Sequence, residues 1–459
     1  MIAALGLKIS AGFRRTAPDP FVLAVLLTLV TLALVLVRTD MGFDEAVNAW
    51  AGTEGVWSAG LLKFAMQMCL ILVTGHALAS SPPVSRGLDK LAGLAKGPRT
   101  AVALVAMVAV SLGVLNWGLG LIAGALMARR VGVATERRGV RTHYPLLAAA
   151  GYTGLLVWHG GFSGSAPLKV TTDEQIADIF GGEAPFGALS IMETVLSPMN
   201  LVVTGGLLVI VPALMVLMHP KRTEDVRTAA DFGVGPEQRA GAREDEKPII
   251  PRVLEDTPAV SLLLVGLIGW WAFGYYFPSE GASGITRLTP DTVNLTMLML
   301  GLALHGTPAR YVRAIEEAAR GCAGIILQFP LYAGIMGLMS ASGLSAQLAK
   351  AIADSSSETT LPVLTLVSAG VVNLFVPSGG GQWAVQGPIA MQAAVDAGVS
   401  PGKMVMAVAY GDELTNMLQP FWALPLLAIT GARARDIVGY TAIVMVVAAV
   451  WMALGLLVF

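Results

Sequence analysis

Charge is scarce in this sequence. Only 13% of its 459 residues are Asp, Glu, Lys or Arg, whereas a soluble globular chain carries about 25%. So long a chain with so little charge must turn most of its surface toward something apolar. The net charge is −1, so nothing in the composition suggests a nucleic-acid partner. Cysteine is nearly absent as well. Cys69 and Cys322 both lie inside apolar runs, so they read as free thiols and build no disulfide framework. Neither a His-Glu-x-x-His zinc spacing nor a nucleophile elbow occurs. Without them Ser163, Ser165, His159 and Asp412 have no support as a hydrolytic centre, and no enzyme is expected.

Apolar runs stand where charge is missing. Hydrophobic residues make up 55% of the chain and the mean hydropathy is +0.68. Glycine (52) and proline (25) are abundant, and membrane helices tolerate both better than soluble ones do. A helix crosses the hydrocarbon core with about 20 mostly apolar residues. On that scale full spans are predicted near 20–38, 57–79, 144–166, 189–218, 258–277, 291–307, 321–341, 404–430 and 437–458. The first run, from Phe21 to Val37, has no small-residue cleavage site behind it and reads as a retained span.

Two more stretches, 100–128 and 360–395, are too long for one helix and carry Gly- or Pro-rich centres. Basic residues decide the first. Arg86, Lys90, Lys96 and Arg99 precede it, and Arg129, Arg130, Arg137, Arg138 and Arg141 follow. One crossing would leave a basic cluster outside, against the positive-inside rule. A hairpin that enters and returns keeps both in the cytoplasm. The flanks of 360–395 are sparse in charge, which suits entry from outside. With the N-terminus cytoplasmic, 24 of the 30 Lys and Arg fall inside. The fold predicted is an all-α polytopic membrane protein of about nine spans plus two re-entrant hairpins. It divides into an N-terminal half (1–218), a cytoplasmic linker (219–257) and a C-terminal half (258–459).

The halves share an order of elements. Gln67 and Gln328, Asn116 and Asn373, Tyr152 and Tyr410, and Pro167 and Pro425 recur at offsets of 257 to 261 residues. The hairpins open to opposite sides, so the repeats are expected to be inverted, a recurring design of secondary transporters.

Four broken elements follow. Two are hairpin tips, Asn116-Trp117-Gly118-Leu119-Gly120 and Pro377-Ser378-Gly379-Gly380-Gly381-Gln382-Trp383. Two are breaks within spans, His159-Gly160-Gly161-Phe162-Ser163-Gly164-Ser165-Ala166-Pro167 and Gly411 to Pro420. Irregular backbone at membrane depth has to be buried in protein or line a cavity. Helix starts at such places present free N–H groups to an anion. Carbonyls, hydroxyls and amides hold a cation. Asn116, Trp117, Gly118, His159, Gly160, Gly161, Ser163, Ser165, Ser378, Gly379, Gly380, Gly381, Gln382 and Trp383 are therefore expected to bind substrate. Asp412 and Glu413 are intramembrane carboxylates, which are costly and usually functional. With Thr415, Asn416 and Asn373 they are expected to handle the coupling ion, with Na+ a candidate near the hairpin tips. Trp117, Trp158, Trp383 and Trp422 fall beside the breaks and are candidates to wall an apolar pocket. No Lys or Arg lies within the four breaks, Lys169 standing just beyond the first, which suits a singly charged substrate.

The runs Asn116 to Ile122, Trp158 to Leu168 and Val376 to Trp383, in this order behind Thr16-Ala17-Pro18-Asp19-Pro20-Phe21, resemble the bacterial short-chain fatty acid transporter family of the ion transporter superfamily. The resemblance implies uptake of butyrate- or acetoacetate-like monocarboxylates across the bacterial inner membrane, coupled to H+ or Na+. It also implies an elevator movement of a transport domain against a scaffold, and a homodimer. Dicarboxylate relatives carry Ser-Asn-Thr at their hairpin tips, where this chain has Asn116-Trp117-Gly118 and Ser378-Gly379-Gly380. Transport of a dicarboxylate or another organic anion, as in other members of the superfamily, or cation/proton antiport, is the alternative.

Overall fold

The computed structural model describes all residues except 1, 17, 181–183, 185, 236–247, 280–283, 288, 345, 348–349 and 351–356. Among the described residues the regular structure is entirely helical, and eight helical segments are long and apolar enough to cross a bilayer. The first half contains α1 (Ile2–Thr16), α2 (Pro20–Arg38), α3 (Phe43–Ala51), α4 (Ala59–Ser80), α5 (Pro82–Gly93), α6 (Pro98–Leu115) and α7 (Trp117–Arg137). It continues with α8 (Tyr144–Tyr152), the short α9 (Ser165–Leu168), α10 (Asp173–Phe180) and α11 (Pro198–Leu217). The second half contains α12 (Ile249–Asp256), α13 (Ala259–Tyr276), α14 (Pro290–His305), α15 (Pro308–Ala319) and α16 (Ala323–Ala341). After these come α17 (Leu361–Phe375), α18 (Gly379–Asp396), α19 (Pro401–Thr415), α20 (Pro420–Thr430) and α21 (Ala434–Val458).

Several predicted runs fold as single helices: 20–38 as α2, 57–79 as α4 and 437–458 within α21. The run 258–277 is α13, preceded by α12, and 321–341 is α16, continuous with α15 in a segment of 34 residues. Others differ. Residues 189–197 are not part of the helix predicted over 189–218. Pro198 occupies the first helical position and Ser197 Oγ accepts the Asn200 N–H at 3.2 Å, so the helix starts there. The run 291–307 gives the 16 residues of α14, about 24 Å of helix. Neither 144–166 nor 404–430 is a continuous helix.

The stretch 100–128 forms two helices, α6 and α7, packed on each other through a single extended residue, Asn116. Its arms run longer than the apolar stretch. Helix α7 continues to Arg137, so Arg129 and Arg130 lie on it rather than beyond it. The second such pair is α17 and α18, joined by residues 376–378.

The two broken segments form the centre. Residues 142–161 and 404–414 are buried without interruption. Helices α6 and α7 pack on α8, and α17 and α18 pack on α19. Glycine permits this closeness. A Cβ on Gly124 of α7 would run into the Gly151 carbonyl of α8, so the two backbones touch. Outside lies an apolar shell: on α13 Leu263 is 77% and Trp270 84% exposed, a surface suited to the bilayer interior.

The first part of the predicted linker is docked rather than loose. The Tyr144 N–H donates to the Arg227 carbonyl at 2.7 Å, and the Phe232 and Tyr144 rings lie 5.5 Å apart. Arg227 pairs with Asp436 of α21 at 2.8 Å. Residues 236–247 of the predicted linker lie outside the described residues.

Candidate functional site

The first break begins where the 3-10 turn after α8 ends at Leu156, and residues 157–164 run without regular helix to α9. The second is shorter than predicted. Helix α19 continues to Thr415, and a 3-10 turn over Asn416–Leu418 separates it from α20. Asp412 and Glu413 therefore stand on the last helical turn, not on unwound chain. Gly411 stays helical because it lies against α17, where a Cβ would meet the Leu366 carbonyl.

The two breaks bind each other. Glu413 Oε2 accepts the backbone N–H groups of His159 (2.8 Å) and Gly160 (3.2 Å). His159 Nδ1 lies 3.0 Å from Asp412 Oδ1, and its Nε2 accepts the Ala166 N–H at 3.0 Å. An amide N–H only donates, so Nε2 must accept. The ring is thereby held neutral with its proton on Nδ1, directed at Asp412. Both ring nitrogens are engaged, so His159 has no N–H to offer a substrate in this state. Trp158 stacks on the imidazole with ring centres 4.4 Å apart.

Each carboxylate keeps one oxygen unpaired: Asp412 Oδ2 and Glu413 Oε1 are buried with no hydrogen-bond partner. Asp412 is 2% and Glu413 0% exposed. The imidazole of His159 is the one basic side chain within ion-pair distance of either, among the described residues. Two carboxylates in such surroundings require a proton or a cation in company.

The predicted ion residues gather alongside. Asn373 Nδ2 approaches the Asp412 carbonyl (2.6 Å), Thr415 Oγ1 (2.9 Å) and Asn416 Oδ1 (3.0 Å). The Asn373 carbonyl accepts from Gln419 Nε2. Asn373 Oδ1 and Gln419 Oε1 are buried and unpaired, so this corner has oxygen to spare for a hard cation.

The tip before α18 leans on the first break. A Cβ on Gly379 would lie 2.7 Å from Trp158 Cη2, 3.0 Å from His159 Cε1 and 3.2 Å from Ser165 Oγ. Ser378 caps the helix by accepting the Gly381 N–H at 3.2 Å. A Cβ on Gly380 would meet Lys169 Nζ at 3.6 Å and Ser165 Oγ at 3.9 Å. A bare helix start, a hydroxyl and an ammonium thus converge on one point, an arrangement suited to a single carboxylate. The sequence placed Lys169 just beyond the first break and did not assign it to the site. Lys169 stands one turn past the break, and only the fold of α9 brings it back to the tip.

Gln382 and Trp383 do not face this point. Gln382 Nε2 donates to the Ala369 carbonyl (2.8 Å) and to Gln386 Oε1 (2.9 Å), tying α18 to α17. Trp383 is wholly buried and covers Gly387. A Cβ on Gly381 would touch Met336. The phase of α18 turns all three residues into the protein.

The first tip is separate. Asn116 Oδ1 caps α7 by accepting the N–H groups of Gly118 (3.0 Å) and Leu119 (3.2 Å). Ser163 Oγ accepts the Trp117 N–H at 3.0 Å, so Ser163 holds the tip to the first break. Trp117 and Trp422 meet edge-on at 5.5 Å, with Phe64 against both. Gly161 packs against the Val114 carbonyl and leaves no room for a Cβ. Two further residues support the breaks. Tyr152 Oη donates to the Asn416 and Gln419 carbonyls of the second break (2.8 and 3.0 Å). Tyr410 Oη donates to Asn200 Oδ1 (2.9 Å), and Asn200 Nδ2 donates to the Gly160 carbonyl of the first (2.8 Å). Each half's broken helix thus sends a tyrosine toward the other half's break.

A family profile described as short chain fatty acid transporter matches residues 1–459. Two relatives bear the name "Putative short-chain fatty acid transporter". That of Escherichia coli (strain K12) is 40% identical over 445 residues, covering 97% of each chain. That of Haemophilus influenzae (strain ATCC 51907 / DSM 11121 / KW20 / Rd) is 37% identical over 442 residues, covering 96% of each. Among solved structures, the Alcanivorax borkumensis YdaH transporter is 17% identical with a TM-score of 0.41, covering 96% of this chain and 97% of its own. Neisseria gonorrhoeae MtrF, described with a class of antimetabolite efflux pumps, is 16% identical with a TM-score of 0.42, covering 98% and 97%.

Proposed function

Because the chain belongs to the short-chain fatty acid transporter family, we propose that it imports short monocarboxylates of the butyrate or acetoacetate kind by secondary active transport. In this reading the protein spans the bacterial inner membrane with its N-terminus in the cytoplasm. The observation that carries the proposal is the pair of neighbouring charge sites. Among the described residues Asp412 and Glu413 are buried without a Lys or Arg partner, and the Gly379–Gly380 tip faces Ser165 and Lys169.

Each site has one role. The substrate carboxylate takes the N–H groups of the tip, the Ser165 hydroxyl and the Lys169 ammonium. Trp158 offers an apolar face beside it for the short chain. A single ammonium balances a single carboxylate, which favours a monocarboxylate over a dicarboxylate. The buried acid pair takes H+ or Na+ as the co-transported ion, with Asn373, Thr415 and Asn416 supplying further oxygens. Substrate and a single co-transported cation bring opposite charges, so they cross together without adding net charge to the centre. The moving unit in this proposal holds α6 to α9 and α17 to α20, and the remaining spans form the scaffold. The crosswise tyrosines, Tyr152 and Tyr410, are compatible with two inverted repeats sharing one midplane site.

The test is uptake of radiolabelled butyrate into proteoliposomes, with Na+ and pH gradients imposed separately. Uptake driven by one gradient and competed by acetoacetate but not succinate supports the reading and names the ion. Competition by succinate overturns the monocarboxylate assignment. Na+/H+ exchange without any organic anion would replace it with antiport.

A further inference from the structure

A second concave site lies away from the transport centre. A cavity of about 610 Å³ opens where the end of α4 and the start of α5 meet α7, within the usual volume range of ligand sites. Arg86 of α5 and Arg129, Arg130 and Arg137 of α7 line it, and Asp89 is the one carboxylate in its lining among the described residues. Positive charge is therefore in clear excess there.

The neighbouring contacts fix the walls, and among the described residues Asp89 offsets one of the four arginines. Arg138 clamps the end of α5, donating to the carbonyls of Gly93 (3.1 Å), Ala92 (3.3 Å) and Ala95 (2.8 Å). Asp89 lies 3.6 Å from Arg130. Arg129 Nη1 donates to the Ile429 carbonyl at 2.9 Å, which spends a donor but no charge. Glu136, the carboxylate beside Arg137, turns elsewhere, accepting from Thr228 Oγ1 (3.1 Å) and the Ala230 N–H (3.2 Å). Arg86 and Arg137 are exposed at the mouth, while Arg129 and Arg130 are half-buried in the floor.

Depth identifies the occupant. The cavity begins at Ser80 and Pro82, where the 22-residue apolar α4 ends. In the orientation proposed above, that end of α4 lies at the level of lipid headgroups on the cytoplasmic, arginine-rich face. Phosphodiesters are the abundant anions at this level, and guanidinium groups bind phosphate bidentately. Basic pockets between membrane helices on this face suit anionic headgroups. We propose that this cavity binds the phosphate of an anionic phospholipid, with Arg86 and Arg137 closing over it from α5 and α7.

The test uses the full chain in detergent, with lipid binding read by native mass spectrometry and by thermal unfolding. The ligands are phosphatidylglycerol, phosphatidylcholine and inorganic phosphate. Phosphatidylglycerol should bind saturably and raise the unfolding temperature, and phosphatidylcholine should do neither. Arg86→Gln/Arg137→Gln should weaken phosphatidylglycerol about thirtyfold, the effect of losing two guanidiniums near a headgroup. Both side chains are exposed, so the variant should unfold at the unaltered temperature without lipid. Arg99→Gln/Arg141→Gln, at a different basic cavity, should bind as the unaltered chain does. Equal phosphatidylglycerol affinity in the Arg86/Arg137 variant overturns the site. Equal losses in both variants reduce the effect to diffuse charge and overturn it too. Inorganic phosphate binding as tightly as phosphatidylglycerol overturns the lipid and leaves a soluble anion.

Discussion

At the scale of single residues, two side chains carry opposite halves of the proposed chemistry, and their variants separate those halves. Glu413→Gln keeps an oxygen to accept the His159 and Gly160 N–H groups but removes the charge that requires a cation. Gradient-driven accumulation of butyrate should fall at least about tenfold, the cost of losing a buried charge's partner ion. Exchange of internal for external substrate should persist. Unchanged accumulation would move the coupling site elsewhere. Lys169→Gln removes the ammonium that lies against Gly380. A hydrogen bond to a charged group is worth about 1.5–3 kcal/mol, so KM for butyrate should rise about tenfold or more with a smaller change in maximal rate. Equal KM values would remove Lys169 from the site. The sequence displayed His159, Asp412 and Glu413 plainly, because polar groups in apolar runs are conspicuous. It did not show that His159 spends both nitrogens on Asp412 and Ala166, since those partners are set by tertiary contact.

At the scale of elements, glycine decides how closely helices approach. Gly124 of α7 and Gly151 of α8 meet backbone to backbone. Gly124→Val should push the hairpin off the broken helix and cost about 1–3 kcal/mol of overpacking. A lowered unfolding temperature in detergent, with uptake reduced in proportion to folded protein, checks this; an unchanged temperature would show that the arms can separate freely. Break positions were legible as Gly, Ser, Asn and Pro in apolar runs. Their limits were less so. The second break begins at Asn416 rather than Gly411, because Gly411 fits tightly against α17 and gains more from packing than it loses in helix propensity. The direction faced by Gln382 and Trp383 was likewise hidden, since a helix's rotation about its axis follows from its neighbours.

At the scale of the whole molecule, residues 219–235 fasten the two halves together. The His143 N–H donates to His219 Nε2 at 3.2 Å, and His219 Nδ1 lies 2.9 Å from the Pro220 carbonyl. Tyr440 of α21 meets His143 Nε2 at 2.9 Å. Burial, with Arg99 adding to it, lowers the His219 pKa from its ordinary value of 6.5. The folded state therefore resists a proton that the unfolded chain accepts. Stability from this group is full above about pH 6.5 and is lost as pH falls from there toward the lower folded value. Unfolding temperature should drop on acidification through that window, and His219→Gln should flatten the drop. An identical pH profile in the variant would place the acid sensitivity in another group.

Composition and apolar run length alone determined that this chain is an all-helical membrane protein, because a bilayer accepts little else. The order of the Gly- and Ser-rich runs pointed to its family, which the comparisons establish. Tertiary structure decided what no run of residues encodes. It brought Glu413 under the first break, returned Lys169 to the tip at Gly380, and docked the chain after α11 onto α8 and α21. The reason is physical: a residue's hydrophobicity acts locally and can be read along the chain, whereas the partner of a buried charge or a free N–H comes from whichever segment packs beside it.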